Sequence, residues 1–155
     1  MEALKSLFEE FDMAAFLPDM TTVVGWVESI LRVAVMAGPL LLLGLGLLYL
    51  LAPPKEANYG VGFRCWWGMA SLEAWQFTQR LAGLIWSGLG VVLTVVMAFV
   101  CNAFRRQAPT DMVWTAVICM GVELFLVLVA YVVINIVLIR KFDRWGFRRD
   151  EEIEE

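Results

Sequence analysis

Three long apolar stretches constrain this chain more than any other feature of its sequence. They occupy residues 33–52, 81–103 and 112–139. A stretch of about 20 apolar residues can cross the hydrocarbon core of a bilayer as a helix, whereas core helices of soluble proteins are shorter and carry polar faces. Apolar residues make up 61% of the 155 positions. The sequence therefore predicts an all-α integral membrane protein with three transmembrane helices and no soluble domain large enough to fold alone.

The remaining segments flank or join these spans. Residues 1–20 are expected to contain a short amphipathic helix at the membrane interface, because apolar residues recur there at helical spacing. Residues 21–139 form the predicted membrane domain, whose first helix is expected to begin near Thr22. Ser71 is expected to cap the second helix. Residues 140–155 are predicted to form a charged, solvated tail.

Single residues within the spans give further expectations. Glu28 and Arg32 lie one helical turn apart and are expected to pair at the interface. Pro39 is a candidate kink in the first span, of a kind that membrane helices tolerate. Small residues allow close approach of helices, and these are Gly44, Gly46, Gly83, Ser87 and Gly121. The sequence does not decide whether such contacts join helices of one chain or make a homo-oligomer.

Basic residues near the span ends predict the orientation of the chain. Eight Lys and Arg residues accompany the 53–80 connection and the C-terminal tail, and four lie on the other side. This bias places the connection and the C-terminus in the cytoplasm and the N-terminus outside.

The composition argues against several classes of function. The chain has no histidine, which excludes Ser-His and Cys-His catalysis and disfavours most zinc and haem sites. Cys65, Cys101 and Cys119 show no CxxC spacing. A net charge of −4 gives no indication of nucleic-acid binding. We therefore expect no enzyme activity, no cofactor, no metal site and no nucleic-acid partner.

The connection between the first two spans carries a spaced motif. It reads Asn58-Tyr-Gly-Val-Gly62-Phe63-Arg64, then Ser71-Leu-Glu73-Ala-Trp75, then Gln79-Arg80-Leu-Ala-Gly83. This pattern resembles the SdpI family, whose founder is the immunity protein against a sporulation-delaying toxin. With the three-span frame, the resemblance extends over residues 33–139. Cys65, Trp66 and Gln79 depart from the residues that are usual in the family.

The resemblance implies a multi-pass protein of the bacterial plasma (inner) membrane that gives immunity to a membrane-active toxin peptide or bacteriocin. From the founder it also implies capture of a transcriptional repressor, so the expected partners are membrane lipid, a toxin peptide and a cytoplasmic regulator. The candidate toxin-binding or motif residues are Asn58, Gly62, Phe63, Arg64, Trp67, Glu73, Trp75 and Gln79.

Arg64 is the first candidate for recognition of an anionic group. Its guanidinium could stack on Trp66 or Trp67, or bind a carboxylate or phosphate through paired hydrogen bonds. Alternatively, Arg64 holds the loop in place by pairing with Glu73 or with backbone carbonyls. Turn formation explains the glycines and Asn58 equally well, and the membrane interface alone explains the tryptophans.

Glu123 is the second candidate, because it lies inside the third span. An acidic residue near the bilayer centre costs about 2.5–3.5 kcal/mol on insertion scales, so we expect it to face the bundle. Tyr131 and Asn135 are expected close to the same face, forming a polar track. One interpretation is a proton- or ligand-linked site, as in a small oligomeric transporter or channel component. The other is a buried hydrogen bond that fixes helix packing.

Overall fold

The computed structural model describes residues 19–57 and 60–149. It contains three long helices: α1 is Met20–Leu51, α2 is Leu72–Ala103 and α3 is Pro109–Lys141. Each is long and apolar enough to cross a membrane, which confirms the predicted all-α membrane fold. The helix predicted within residues 2–16 lies outside the described residues.

Capping groups set the beginning of the helices. Asp19 caps α1, accepting a hydrogen bond from the Thr21 hydroxyl at 2.6 Å and one from the Thr21 backbone N–H at 3.4 Å. These bonds, chiefly the one from the hydroxyl, lower the pKa of the Asp19 carboxyl. Ser71 caps α2 as predicted, because its Oγ accepts from the Ala74 N–H at 3.1 Å. Pro109 is the first residue of α3, where the backbone N–H that proline lacks would have no partner within the helix.

The first helix begins before its apolar stretch, as its pattern near Thr22 predicts. Arg32 pairs with Glu28 at 2.5 Å between Nη2 and Oε1, which confirms the predicted interfacial pair. The helix continues through Pro39, which is buried, and ends at Leu51 before two consecutive prolines. A single long helix therefore carries both the interfacial and the membrane-spanning part of this segment.

Helices α1 and α2 pack closely where glycines remove side chains. A β-carbon added to Gly46 would overlap the Ser87 backbone, and one added to Gly90 would lie 2.6 Å from the Leu43 backbone nitrogen. Gly83 packs against the Gly46 carbonyl in the same way. The predicted close approach at Gly46, Gly83 and Ser87 is therefore confirmed, and it joins two helices of one chain.

Gly44 and Gly121 differ from this expectation. A β-carbon added to either would meet nothing within 4 Å. Neither glycine therefore brings two helices of the described chain together.

Helix α3 completes the bundle through two apolar clusters. One includes Val35, Leu93 and Met112 and lies toward the beginning of α3. The other includes Tyr49 and Leu138 and lies at the opposite end, beneath the connection between α1 and α2. That second end of the bundle carries the motif residues.

Candidate functional site

The motif residue Gln79 holds the loop through the backbone of Phe63. Its Oε1 accepts from the Phe63 N–H at 2.8 Å, and its Nε2 donates to the Phe63 carbonyl at 2.9 Å. The Gln79 side chain is fully buried. Both ends of its amide therefore satisfy backbone groups that water cannot reach. Gln79 acts here as a clamp on the loop.

The ring of Phe63 extends from this clamp into the helix bundle. Its centroid lies 5.4 Å from that of Trp86 on α2 and 5.4 Å from that of Tyr131 on α3. The Phe63 side chain is buried. Aromatic pairs at such distances add about 0.5–1.5 kcal/mol beyond their area burial. Phe63 thus fixes the loop to two helices at once.

Trp75 and Gly62 form the adjoining part of the loop support. The Trp75 indole N–H donates to the Pro54 carbonyl at 2.8 Å, and its ring is fully buried. Gly62 lies against that ring with φ = 126°, and a β-carbon there would stand 2.8 Å from the ring edge. Glycine is required at position 62 for both its backbone angle and its close contact.

Cys65 is a buried structural residue of the same loop. Its sulfur accepts from the Gly68 N–H at 3.3 Å, in a short 3-10 turn that spans Trp67–Met69. Burial raises the pKa of the Cys65 thiol, and the hydrogen bond from Gly68 opposes that effect. A thiol with a raised pKa is a weak nucleophile at neutral pH. The motif residue Trp67 is half-buried in this turn.

The tail beyond α3 folds back onto the start of α2. The Ser71 hydroxyl donates to the Gly146 carbonyl at 2.8 Å, and Glu73 pairs with Arg148. Phe142 is fully buried, with its ring centroid 5.6 Å from that of Phe77. Within the described part of the predicted charged tail, Arg144, Trp145 and Arg149 are exposed, while Phe142 anchors the segment to the bundle. The apolar Phe142 and the turn at Gly146, where φ is 82°, return the chain to the bundle.

Arg64 is exposed on the outer side of this framework. Its Nη2 donates to the Gly60 carbonyl at 3.1 Å, which matches the expected pairing with a backbone carbonyl. Glu73, the other expected partner, pairs with Arg148. The motif residue Asn58 lies outside the described residues. Arg64 therefore differs from its buried motif neighbours in reaching the surface.

A surface cavity of about 460 Å³ lies between the loop and the folded-back tail. Its lining includes Trp66 and Trp145, which are 82% and 75% exposed, together with Arg144. Arg144 and Trp145 were not predicted as site residues. No motif or periodic pattern in the sequence indicates that the tail returns to the loop.

Glu123 occupies a separate position inside the bundle. Only 7% of its surface is exposed, and its Oε1 accepts no hydrogen bond from the described residues. Across the bundle, Gly38 leaves room for the carboxylate: a β-carbon there would lie 2.6 Å from Oε2. The buried indole N–H of Trp86 likewise has no acceptor among the described residues. Glu123 and Trp86 line one cavity.

The other members of the predicted polar track are engaged elsewhere. Asn135 Nδ2 donates to the Tyr131 carbonyl at 2.8 Å, one turn back on the same helix. The Tyr131 ring packs against Phe63. The polar neighbour of Glu123 in its cavity is Trp86, which sequence reasoning missed because the sequence does not set the rotation of α2 relative to α3.

Neither region has the donors of a metal centre. Among residues 19–57 and 60–149, no three His, Cys, Asp or Glu side chains are grouped closely enough to hold a metal ion.

Comparison with known proteins supports the resemblance seen in the motif. A model of the SdpI/YfhL protein family matches residues 55–139, which is more than half of the chain and includes the loop, α2 and most of α3. Searches of curated proteins and of solved structures found no match. The family match begins just before the Gln79-held loop and ends near the close of the third helix, and on this basis the chain belongs to the SdpI/YfhL protein family.

Proposed function

We propose that this membrane protein gives bacteria immunity to a membrane-active toxin peptide or bacteriocin. The toxin would bind the exposed side of the loop and tail, which we call the loop–tail surface: Trp66, Arg144 and Trp145 line one cavity, and Arg64 is exposed two residues before Trp66. The observation that carries this proposal is the exposure of these side chains on the loop and the tail, beside the buried motif residues Phe63, Trp75 and Gln79.

The chemistry of the loop–tail surface suits an amphipathic peptide. Two exposed tryptophans offer apolar faces with one polar edge, and tryptophan and arginine are enriched among residues that dominate binding energy. A guanidinium group binds a carboxylate through paired, charge-assisted hydrogen bonds. Because Gln79 and Trp75 hold the loop in one conformation, little ordering is required when a ligand binds.

The basic-residue bias supports a position of this surface at the inner leaflet of the plasma membrane, with the C-terminus in the cytoplasm. A toxin that reaches the loop–tail surface must then insert into the bilayer rather than remain on its outer face. Insertion also brings the apolar part of the peptide alongside the exposed helix surfaces. The proposal therefore concerns membrane-inserting peptides.

The test is survival of a sensitive bacterial strain that expresses the protein. Cells would be challenged with a panel of membrane-active peptides, and the inhibitory concentration of each measured. We expect Arg64→Ala to reduce protection roughly tenfold, since a hydrogen bond to a charged group contributes about 1.5–3 kcal/mol. Arg64→Lys should restore it only in part, because lysine lacks the planar fork.

The matched control is Arg105→Ala, which removes the same charge at the opposite end of the bundle. Immunoblots of membrane fractions would verify equal amounts of each variant. Unchanged survival across the whole peptide panel, or equal losses for the Arg64 and Arg105 variants, would count against the proposal.

A small oligomeric transporter or channel component is the second candidate function. It is favoured by the unpartnered oxygen of the buried Glu123. Three spans are few for a carrier, so this function requires several copies of the chain. Proteoliposomes would be assayed for movement of protons, ions and small solutes, with Glu123→Gln as the comparison. Absence of flux for every solute would remove this candidate.

A further inference from the structure

A second cavity opens on the side of the helix bundle, away from the loop–tail surface. Its volume is about 510 Å³, within the range of about 300–1,000 Å³ that is usual for small-molecule sites. All three helices line it, with Gly38 from α1, Trp86 from α2 and Glu123 from α3. Leu41 and Leu124 line it as well and are themselves exposed. In a bilayer the cavity therefore faces hydrocarbon.

The polar groups of this cavity are few and unsatisfied. Glu123 is its one ionisable lining residue, and the Trp86 indole supplies the other polar side chain; the rest of the lining is apolar. Oε1 of Glu123 and Nε1 of Trp86 are both buried without a hydrogen-bond partner among the described residues. Buried polar groups in native proteins are normally hydrogen-bonded, so Glu123 lacks the internal partner expected of a residue that fixes the fold.

Helix packing does not account for the carboxyl group. A glutamate that fixed two helices together would hydrogen-bond across the interface with both oxygens, yet Oε1 has no such bond within the described part of the chain. The facing position, Gly38, offers space beside Oε2 and no side-chain donor. Glu123 therefore lines the cavity, and its carboxyl group can bind a second molecule.

The geometry points to a binding site for an amphiphile with a single alkyl chain and one ammonium group, which enters sideways from the bilayer. The apolar lining accepts the chain, and the one acidic group complements the one positive charge. An ammonium group donates hydrogen bonds to a carboxylate, here to Oε2 of Glu123 beside Gly38, which also lines the cavity. This site is distinct from the loop–tail surface, and binding here requires neither immunity nor transport.

Quenching of Trp86 fluorescence tests the inference directly. The full-length protein, in phosphatidylcholine nanodiscs, would be titrated with 12-bromododecylamine, whose bromine quenches nearby tryptophans. 12-Bromododecanol provides an uncharged probe with the same chain. We expect saturable quenching by the amine at a concentration at least tenfold below that needed for the alcohol. Trp86→Phe should remove the saturable component, leaving only the non-saturable quenching that follows from amine dissolved in the bilayer.

Glu123→Gln keeps the size and polarity of the side chain and removes its charge. This variant should bind the amine at least tenfold more weakly while its quenching by the alcohol stays the same. Asp111→Asn is the matched control, since it removes an exposed acid at the start of the same helix and should change neither titration.

Three results would overturn the inference: equal saturation by amine and alcohol, full amine binding by the Glu123→Gln variant, or saturable quenching that survives Trp86→Phe. A second copy of the chain covering the cavity would also overturn it, because both probes would then be excluded and a concentration-dependent dimer would appear in sedimentation.

Discussion

The loop end of the bundle and the cavity at Glu123 differ in how their polar side chains are hydrogen-bonded. At the loop end, Gln79, Trp75 and Ser71 each bind a backbone carbonyl, and Gln79 and Ser71 also accept from backbone N–H groups. At the cavity, Glu123 and Trp86 each have a buried polar atom without a hydrogen-bond partner among the described residues, as Trp67 does in the loop. The bonds at the loop end specify the fold, whereas Glu123 contributes no such bond through Oε1.

Removal of the Gln79 amide is expected to have the largest effect on stability. Gln79→Ala leaves the N–H and the carbonyl of buried Phe63 without partners, at about 1–3 kcal/mol for each unsatisfied group. We expect the free energy of unfolding to fall by about 3 kcal/mol in denaturant titrations of the detergent-solubilised protein. Gln76→Ala, one turn earlier on the exposed side of α2, should leave it nearly unchanged.

Gly62→Ala should produce the next largest effect. The new methyl group would meet the Trp75 ring, and alanine at φ = 126° is strained by about 1–3 kcal/mol. A loss of about 2 kcal/mol is expected from the same titration. Gly88→Ala, at a helical glycine with open space around it, should be neutral or slightly stabilising. Equal behaviour of the two variants would show that the loop does not depend on Gly62.

Glu123→Leu, in contrast, should stabilise the protein. Leucine removes a buried polar group that has no hydrogen bond through Oε1, so the free energy of unfolding should rise by about 1 kcal/mol. A clear loss of stability in the denaturant titration would instead assign Glu123 to the bonds that hold the helices together.

The smallest effect is expected at the ion pair between the tail and α2. The side chains of Glu73 and Arg148 are each more than a third exposed, so water and salt screen their attraction. Glu73→Gln should lower the free energy of unfolding by about 0.5 kcal/mol or less, and 1 M salt should abolish the difference from the parent protein. A larger effect that resists salt would mean that the tail is held mainly by this pair.

The features predictable from sequence are those encoded within one helix or one turn. The three spans, the Ser71 cap and the Glu28–Arg32 pair depend on residues at most a few positions apart, and all three agree with the structure. The motif also identified Gln79 as a candidate site residue. Its clamp on Phe63 joins groups 16 residues apart, and no periodic pattern specifies such a bond.

The features missed by sequence reasoning depend on how separate elements meet. The return of the tail follows from burial of Phe142 beside Phe77; Phe77 lies in α2, and Phe142 directly follows α3, far away in the chain. The pairing of Trp86 with Glu123 in one cavity depends on the relative rotation of α2 and α3. Apolar surfaces on nearly every side of these helices leave that rotation undetermined by hydrophobic pattern alone.

Trp86 belongs to both regions. Its ring packs edge-on against Phe63 of the loop, and the same side chain forms part of the wall around Glu123. A peptide that displaced the loop would move the Trp86 ring and so change the shape of the cavity. A molecule bound in the cavity would likewise change the position of the loop. Thermodynamic linkage requires the two affinities to change by the same factor, so binding at one site would alter binding at the other to the same degree.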